Sequence, residues 1–248
     1  MRALLILTFF SFSLLVFIQC ANKEKPRQNQ LPKKALVFTK TAEFRHESIE
    51  AGVFAVETIC KDLKIMIDHT EDAAVFNAGN LNQYGLIIFL STTGDILDST
   101  QQVVFEQYMK NGGNFMGIHS ATDTEYDWPW YNQLVGAYFA NHPAIQEASI
   151  VVRDSNHISC KHLPNPWVRK GEWYNFKNIN TDVDVLLTVD ESSYEGGTNG
   201  ENHPYSWCHE FEKGRAFYTA CGHTIESFSE PEFVQHLRGG IQWCLGLD

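Results

Sequence analysis

The sequence predicts an α/β protein with a mainly parallel sheet, helices on both of its faces, and added strands that are partly antiparallel. Three observations carry this. Short apolar runs alternate with amphipathic segments from residue 35 to about 145, the pattern of strand–helix–strand units. Runs such as Gly85-Leu86-Ile87-Ile88-Phe89-Leu90 are apolar throughout instead of alternating, as a central parallel strand buried on both faces must be. From about residue 146, strand-like runs follow one another with no helical pattern between them.

Taken in order, residues 1–20 stand outside this fold. Arg2 precedes an apolar stretch from Ala3 to Ile18, and Cys20 is followed by polar Ala21-Asn22-Lys23-Glu24-Lys25-Pro26. A charged start and an apolar run read as an export signal. A cysteine closing that run resembles a bacterial lipoprotein signal, with Cys20 the lipidated first mature residue. Gln19 departs from the small residue usual there, and an uncleaved membrane anchor is the rival reading, although the stretch is short for a span. Residues 21–34 read as a flexible tether, and 35–248 as the folded domain. The expected location is the bacterial cell envelope, lipid-anchored and facing the periplasm or the surface. With 248 residues, 44% hydrophobic content and a net charge of −11, the chain has a real core and no basic tract after residue 34, which argues against nucleic acid as a partner. Of six cysteines, none forms a C-x-x-C pair, so the five beyond Cys20 read as buried free thiols.

Ala35-Leu36-Val37-Phe38 is the first strand, followed by a polar exit holding Arg45 and His46. Ile49, Val53, Val56 and Ile59 then recur at helical spacing. For Arg45 and His46 the order leaves two readings open: side chains of a site, or a surface ion pair and a helix cap. Ile65-Met66-Ile67 is the second strand, with residues 68–72 as its exit loop. The third strand, 85–90, leaves through Ser91-Thr92-Thr93-Gly94-Asp95, and a helix from about Ser99 to Met109 stops at Asn111-Gly112-Gly113. Residues 114–118 form the next strand, and a tight turn delivers His119 to its carboxyl end, the edge where open α/β sheets bind ligands. The spacing is that of a nucleophile elbow with histidine at its centre. Such a histidine serves as acid/base, metal ligand or anchor for substrate oxygens.

The stretch 122–131 is aromatic and acidic together. Flat rings beside carboxylates suit sugars, which makes Asp123 and Trp128 candidates; the competing reading is a helix start at Asp127 with Pro129 in its first turn and core tryptophans. A short helix ends near Phe139, before Asn141-His142-Pro143. Further strands are expected at 148–152, 172–176, 183–189, 207–211 and 216–219, with a hairpin turn at Lys213-Gly214 and a closing helix over 231–245.

Six blocks in order, Phe44-Arg45-His46, Thr93-Gly94-Asp95, Gly117-Ile118-His119-Ser120-Ala121, Glu172-Trp173-Tyr174, His203-Pro204-x-x-Trp207 and Gly214-Arg215-x-x-Tyr218-x-x-x-Gly222-His223, resemble the ThuA-like (trehalose utilisation) family across essentially all of 35–248. The resemblance implies a flavodoxin-like, class I glutamine amidotransferase-like fold of three α/β/α layers. It also implies a link to sugar catabolism beside oxidoreductases that make keto-sugars. Two departures stand out: Gly171-Glu172 replaces an acidic pair, and His157-Ile158 replaces His-Pro. His119 sits where amidotransferases of this fold carry a nucleophilic cysteine, so glutaminase chemistry is excluded at that position.

The resulting expectation is a protein acting on a trehalose- or keto-disaccharide-type carbohydrate by acid/base or metal-assisted chemistry. His119, His46 and Glu172 are its catalytic candidates. Arg45, Thr93, Asp123, Trp128, His142, Tyr174, His203, Trp207 and His223 are its substrate-binding candidates. A divalent metal ion is the one cofactor the histidines and carboxylate suggest. Two alternatives stay open: a non-catalytic carbohydrate-binding lipoprotein, and an interaction scaffold that kept the fold and lost the chemistry.

Overall fold

Five strands build the parallel half of the sheet: β1 (Lys34–Phe38), β2 (Met66–Thr70), β3 (Leu86–Leu90), β4 (Asn114–Ile118) and β11 (Gly214–Thr219). The structure is a computed structural model and describes residues 33–247; the signal, Cys20 and nearly all of the tether lie outside those residues. The parallel strands run in the order β2-β1-β3-β4-β11, the flavodoxin-like order, whose switch point falls between β1 and β3. Each neighbour beyond β11 then reverses direction: β10 (Pro204–Phe211), β9 (Asp184–Val189), β6 (Gln146–Val152) and β7 (Trp167–Gly171) complete a nine-stranded sheet. A separate two-stranded ribbon pairs β5 (Tyr138–Asn141) with β8 (Asn175–Lys177).

The helices are α1 (Ile49–Asp62), the short α2 (Ala78–Leu81), α3 (Ser99–Lys110), α4 (Pro129–Val135) and α5 (Pro231–Cys244). Strand β3 shows why its sequence is apolar at every position. Phe89 stacks on Phe105 of α3 with ring centroids 5.4 Å apart, whereas Leu90 lies against Gly52 of α1. Successive strand residues thus feed opposite layers. On the α3 side Phe89, Phe105, Phe115, Tyr131 and Trp128 form a chain of aromatic contacts; on the other side α1 packs with α5. Burying each such aromatic contributes about 1.5–3 kcal/mol. None of the described helices is long and apolar enough to cross a membrane.

Helix α3 begins in a reciprocal cap. Asp98 accepts from the backbone N–H of Thr100 and Gln101, at 2.9 Å each, and the Gln101 side chain accepts from the Asp98 N–H at 2.9 Å. Since the cap satisfies donors that the helix leaves orphaned, Asp98→Ala should cost about 1 kcal/mol, read as a lower urea midpoint at unchanged slope.

The structure departs from the sequence expectations in four places. Strand β2 continues through Asp68-His69-Thr70 rather than ending at Ile67. It lies at the edge of the sheet and is only partly buried, so polar residues are tolerated within it. Helix α4 ends at Val135, where Gly136 takes a left-handed φ of 94°, and Tyr138–Asn141 is strand, not helix. Glu172-Trp173-Tyr174 is not strand: it bridges β7, which the sequence did not reveal, and β8. The β10–β11 hairpin turns at Glu212-Lys213, with Phe211 paired to Gly214, one residue earlier than expected. The closing helix, the hairpin partners and strands β1, β3 and β4 fall where expected.

Candidate functional site

The exit of β4 is a forced turn. Ile118 ends the strand in extended geometry, and His119 adopts φ +54° to start a single 3₁₀ turn over residues 119–122. A non-glycine residue there is strained, and surrounding bonds hold it. The Tyr218 hydroxyl donates to the His119 carbonyl at 2.7 Å, and His119 Nδ1 lies 2.9 Å from the Ala220 carbonyl oxygen. A carbonyl only accepts, so Nδ1 carries the proton and Nε2 holds its lone pair.

That lone pair meets four polar atoms. Tyr174 Oη is 3.0 Å from His119 Nε2, His46 Nε2 3.1 Å, His223 Nδ1 3.2 Å and Glu172 Oε2 3.4 Å. Glu172 Oε2 also lies 3.0 Å from His223 Nδ1, and Oε1 lies 3.2 Å from His142 Nδ1. His119 and Tyr174 are fully or almost fully buried, and His46 and Glu172 nearly so, while His223 and His142 open toward solvent. Each partner arrives by a different route: His46 from the exit of β1 on one side of the switch point, His119 from β4, His223 just beyond β11, Glu172 and Tyr174 from the β7–β8 bridge. The antiparallel extension thus delivers the carboxylate to the carboxyl edge of the parallel strands.

Burial dominates the electrostatics. It pushes His46 down to about 3, reinforced by the neighbouring His119 and His223. It also lowers His119, against the opposing pull of Glu172. For Glu172 burial works upward, but the hydrogen bonds and charges of His119 and His223 override it and hold the carboxyl well below its ordinary range. Glu172 is therefore a buried carboxylate, and burial disfavours the charged form of the His46 and His119 rings beside it. His46 Nε2, His119 Nε2, His223 Nδ1 and Glu172 Oε2 are the atoms that could hold a metal: one ligand atom from each of these residues falls within 4.8 Å of the others.

His46, His119, His142, Glu172, Tyr174 and His223 are brought together. The remaining candidates are not on this cluster. Arg45 lines the neighbouring cavity, but its guanidinium pairs with Glu50 and Glu71 at 2.8 and 2.7 Å, which is the surface-ion-pair reading. Thr93 donates to the Phe44 carbonyl and fixes the β1 exit loop. Asp123 accepts from the Tyr126 hydroxyl at 2.6 Å, and burial raises its carboxyl. Trp128 stacks on Trp130 and Tyr131, and Trp207, fully buried, donates to the Val135 carbonyl; both are core. His203 is buried between Glu191 Oε1 at 2.8 Å and the Tyr174 carbonyl at 2.7 Å, so it positions Tyr174.

The sequence did not single out Ser120, whose Oγ lies 3.4 Å from His46 Nδ1, nor the Ala220 carbonyl. Ser120 follows the key histidine directly and was legible in principle; a carbonyl across the sheet leaves no trace in residue type.

His46 and His223 open into a cavity of about 400 Å³ lined also by Phe44, Arg45, Glu47, Ser48, Thr224, Ile225 and Glu226, a size suited to a small ligand. Phe44 is 65% and Ile225 49% exposed at this cavity. A second cavity, about 420 Å³, is lined by Asp154, His157, Asp184, Val185, Leu186, Cys208 and Trp243 and shares no residue with the cluster.

The family model for ThuA, trehalose utilisation, matches residues 34–244. A ThuA-like protein from Bacteroides uniformis superposes with a TM-score of 0.71 at 26% identity, covering 87% of this chain and 92% of that one. One from Parabacteroides merdae gives 0.70 at 21% identity, covering 86% and 90%. A β-galactosidase from Bacillus circulans shares the fold over 31% of its own length, at 16% identity and TM-score 0.54, covering 88% of this chain. No curated protein matches the sequence. With the family model spanning nearly the whole described chain, this chain belongs to the ThuA (trehalose utilisation) family.

Proposed function

We propose that this chain converts a carbonyl-bearing sugar derivative, of the keto-disaccharide type, by moving a proton at the carbon next to the carbonyl. The observation that supports this most is the His119 tautomer. Its Nε2 lone pair is held among His46, His223, Glu172 and Tyr174, beside a cavity with an apolar rim at Phe44 and Ile225 and carboxylates at Glu47 and Glu226. Exposed apolar groups suit the C–H face of a sugar, and carboxylates its hydroxyls.

In the proposed step a base takes the C–H proton, and the electron pair of that bond forms C=C while the carbonyl π pair moves to oxygen. The enolate oxygen accepts from the Tyr174 hydroxyl at the cluster, and return of the proton to the opposite face of that carbon gives the epimeric sugar. His142 suits the base. Its Nδ1 faces the Pro143 carbonyl and Glu172 Oε1 at 2.9 and 3.2 Å, which leaves Nε2 as the acceptor, with a carboxylate behind the ring. Glutaminase chemistry finds no support: the elbow carries His119, and every described cysteine is buried. A keto-sugar-forming oxidoreductase is the partner reaction that would supply such a substrate.

The test is incubation of the purified chain with 3-keto-disaccharides, with products followed by NMR. Turnover is expected. Binding without any conversion would favour the carbohydrate-binding lipoprotein instead.

The envelope location belongs to the same proposal. Cys20 at the end of the apolar run is the expected lipid attachment site, so Cys20→Ser should move the protein out of the membrane fraction. Unchanged fractionation with an intact N-terminus would indicate an uncleaved anchor.

A further inference from the structure

We propose that His46 Nε2, His119 Nε2, His223 Nδ1 and Glu172 Oε2 bind one divalent transition-metal ion of the zinc class. The ion's presence follows from the cluster alone; its role, holding the carbonyl oxygen of a sugar derivative, rests on the function proposed above.

Three features point to a cation. The first is lone-pair accounting. His119 Nε2 has a single lone pair, because its other nitrogen donates to Ala220, yet four polar atoms crowd it between 3.0 and 3.4 Å. Hydrogen bonds from Tyr174 and His46 would have to share that lone pair, and Glu172 Oε2, which has only acceptor lone pairs, would still face it at 3.4 Å. A cation at the centre satisfies all the lone pairs at once.

The second is spacing. Metal–donor bonds of ~2.0–2.1 Å place donor atoms of a tetrahedral site ~3.3 Å apart. The donor pairs involving His119 measure 3.1, 3.2 and 3.4 Å, and His223 to Glu172 measures 3.0 Å; His46 lies within 4.8 Å of the other two donors.

The third is the outer layer of bonds. Metal-bound histidines and carboxylates are oriented by partners on their far atoms. Here the far atom of His119 meets the Ala220 carbonyl, that of His46 the Ser120 hydroxyl and that of Glu172 the His142 ring, at 2.9, 3.4 and 3.2 Å. Among the described residues, no other group of three or more histidines, cysteines or carboxylates converges in this way.

The donor set selects the ion class. Three imidazoles and one carboxylate favour zinc and its first-row neighbours, whereas magnesium and calcium prefer all-oxygen sites. His46 and His223 also line the cavity, so a ligand in that cavity has direct access to the ion.

The test uses the full-length chain purified without chelator, with metal content measured by mass spectrometry. The expected result is about one equivalent of a first-row ion per chain, removed by a chelator and restored by Zn²⁺ or Co²⁺, with a higher Tm on rebinding. His119→Ala and His46→Gln should each weaken Zn²⁺ binding by about a hundredfold or more. His223→Gln, at the solvent-facing edge, provides the same reading if the buried variants misfold. Metal-stripped protein that takes up no equivalent of Zn²⁺, Co²⁺ or Mn²⁺ overturns the site, as does equal uptake by wild type and the three variants. Stoichiometric ion without turnover of keto-sugars supports the site and overturns the sugar chemistry; full turnover by stripped protein does the reverse.

Discussion

His119→Ala should leave a folded protein that has lost the proposed keto-sugar turnover by about 10²–10⁴-fold, the range expected for removing a positioned group that handles charge in the reaction. The structural cost is bounded. The substitution deletes the ring and leaves the Ala220 carbonyl without its partner, at about 1–3 kcal/mol for a buried orphaned acceptor, against a typical domain stability of about 5–15 kcal/mol. It also leaves His46, His223 and Tyr174 without their shared acceptor. Glu172→Gln should act in the same direction while keeping the shape of the side chain, because it removes the charge that faces His119, His223 and His142. Circular dichroism and Tm separate loss of chemistry from loss of fold. Variants that keep full activity would remove the cluster from the mechanism.

Truncation before Pro231 should abolish cooperative folding of the domain. Helix α5 buries Phe233, Leu237, Ile241 and Cys244 almost completely, and the first three side chains alone are worth roughly 4.5–9 kcal/mol of burial, comparable to the whole stability of a domain. The helix cannot be replaced by looser packing. A Cβ on Gly239 would collide with the Ser159 backbone, and His236 Nδ1 is 2.8 Å from the Ser159 carbonyl. Because α5 also packs with α1 and against β4 and β11, its loss should reach the strands that carry His119 and His223. A sharp transition close to that of the parent, by urea or heat, would mean that the parallel core folds without its last helix.

Sequence patterns were most informative where burial is two-sided. The continuous apolar runs of β3 and β4 could be read directly because both faces of those strands are covered. Strand β7 escaped detection for a physical reason. Its inward positions are Trp167, Arg169 and Gly171, and Arg169 is neutralised inside by Glu230 at 3.0 Å and donates to the Ser227 hydroxyl. An arginine at a core position breaks the hydrophobic pattern on which strand assignment depends, since its partners lie 58 and 61 residues away. The α4 stop was present in the sequence as Gly136, whose left-handed conformation ends the helix. Aromatic residues misled in the opposite direction. Trp128 and Trp207 suit a sugar platform by type, but both are core side chains here, whereas the exposed apolar groups of the cavity, Phe44 and Ile225, carry no distinguishing pattern.

For the site, order along the chain located the histidines at strand exits, and the parallel sheet brought those exits together as expected for this topology. What order alone does not contain is distance. The convergence of His46, His119, Glu172 and His223 depends on the β7–β8 bridge, a segment expected as strand, and on His203 holding the Tyr174 carbonyl.

The most direct test of the proposed chemistry is hydrogen exchange on a 3-keto-disaccharide in D₂O, followed by NMR, with wild type and the His119→Ala variant side by side. The account predicts deuterium at a carbon next to the carbonyl with wild type, at a rate far above the uncatalysed exchange, and background exchange with the folded variant. Background exchange with wild type, or equal enrichment by both proteins, would contradict it.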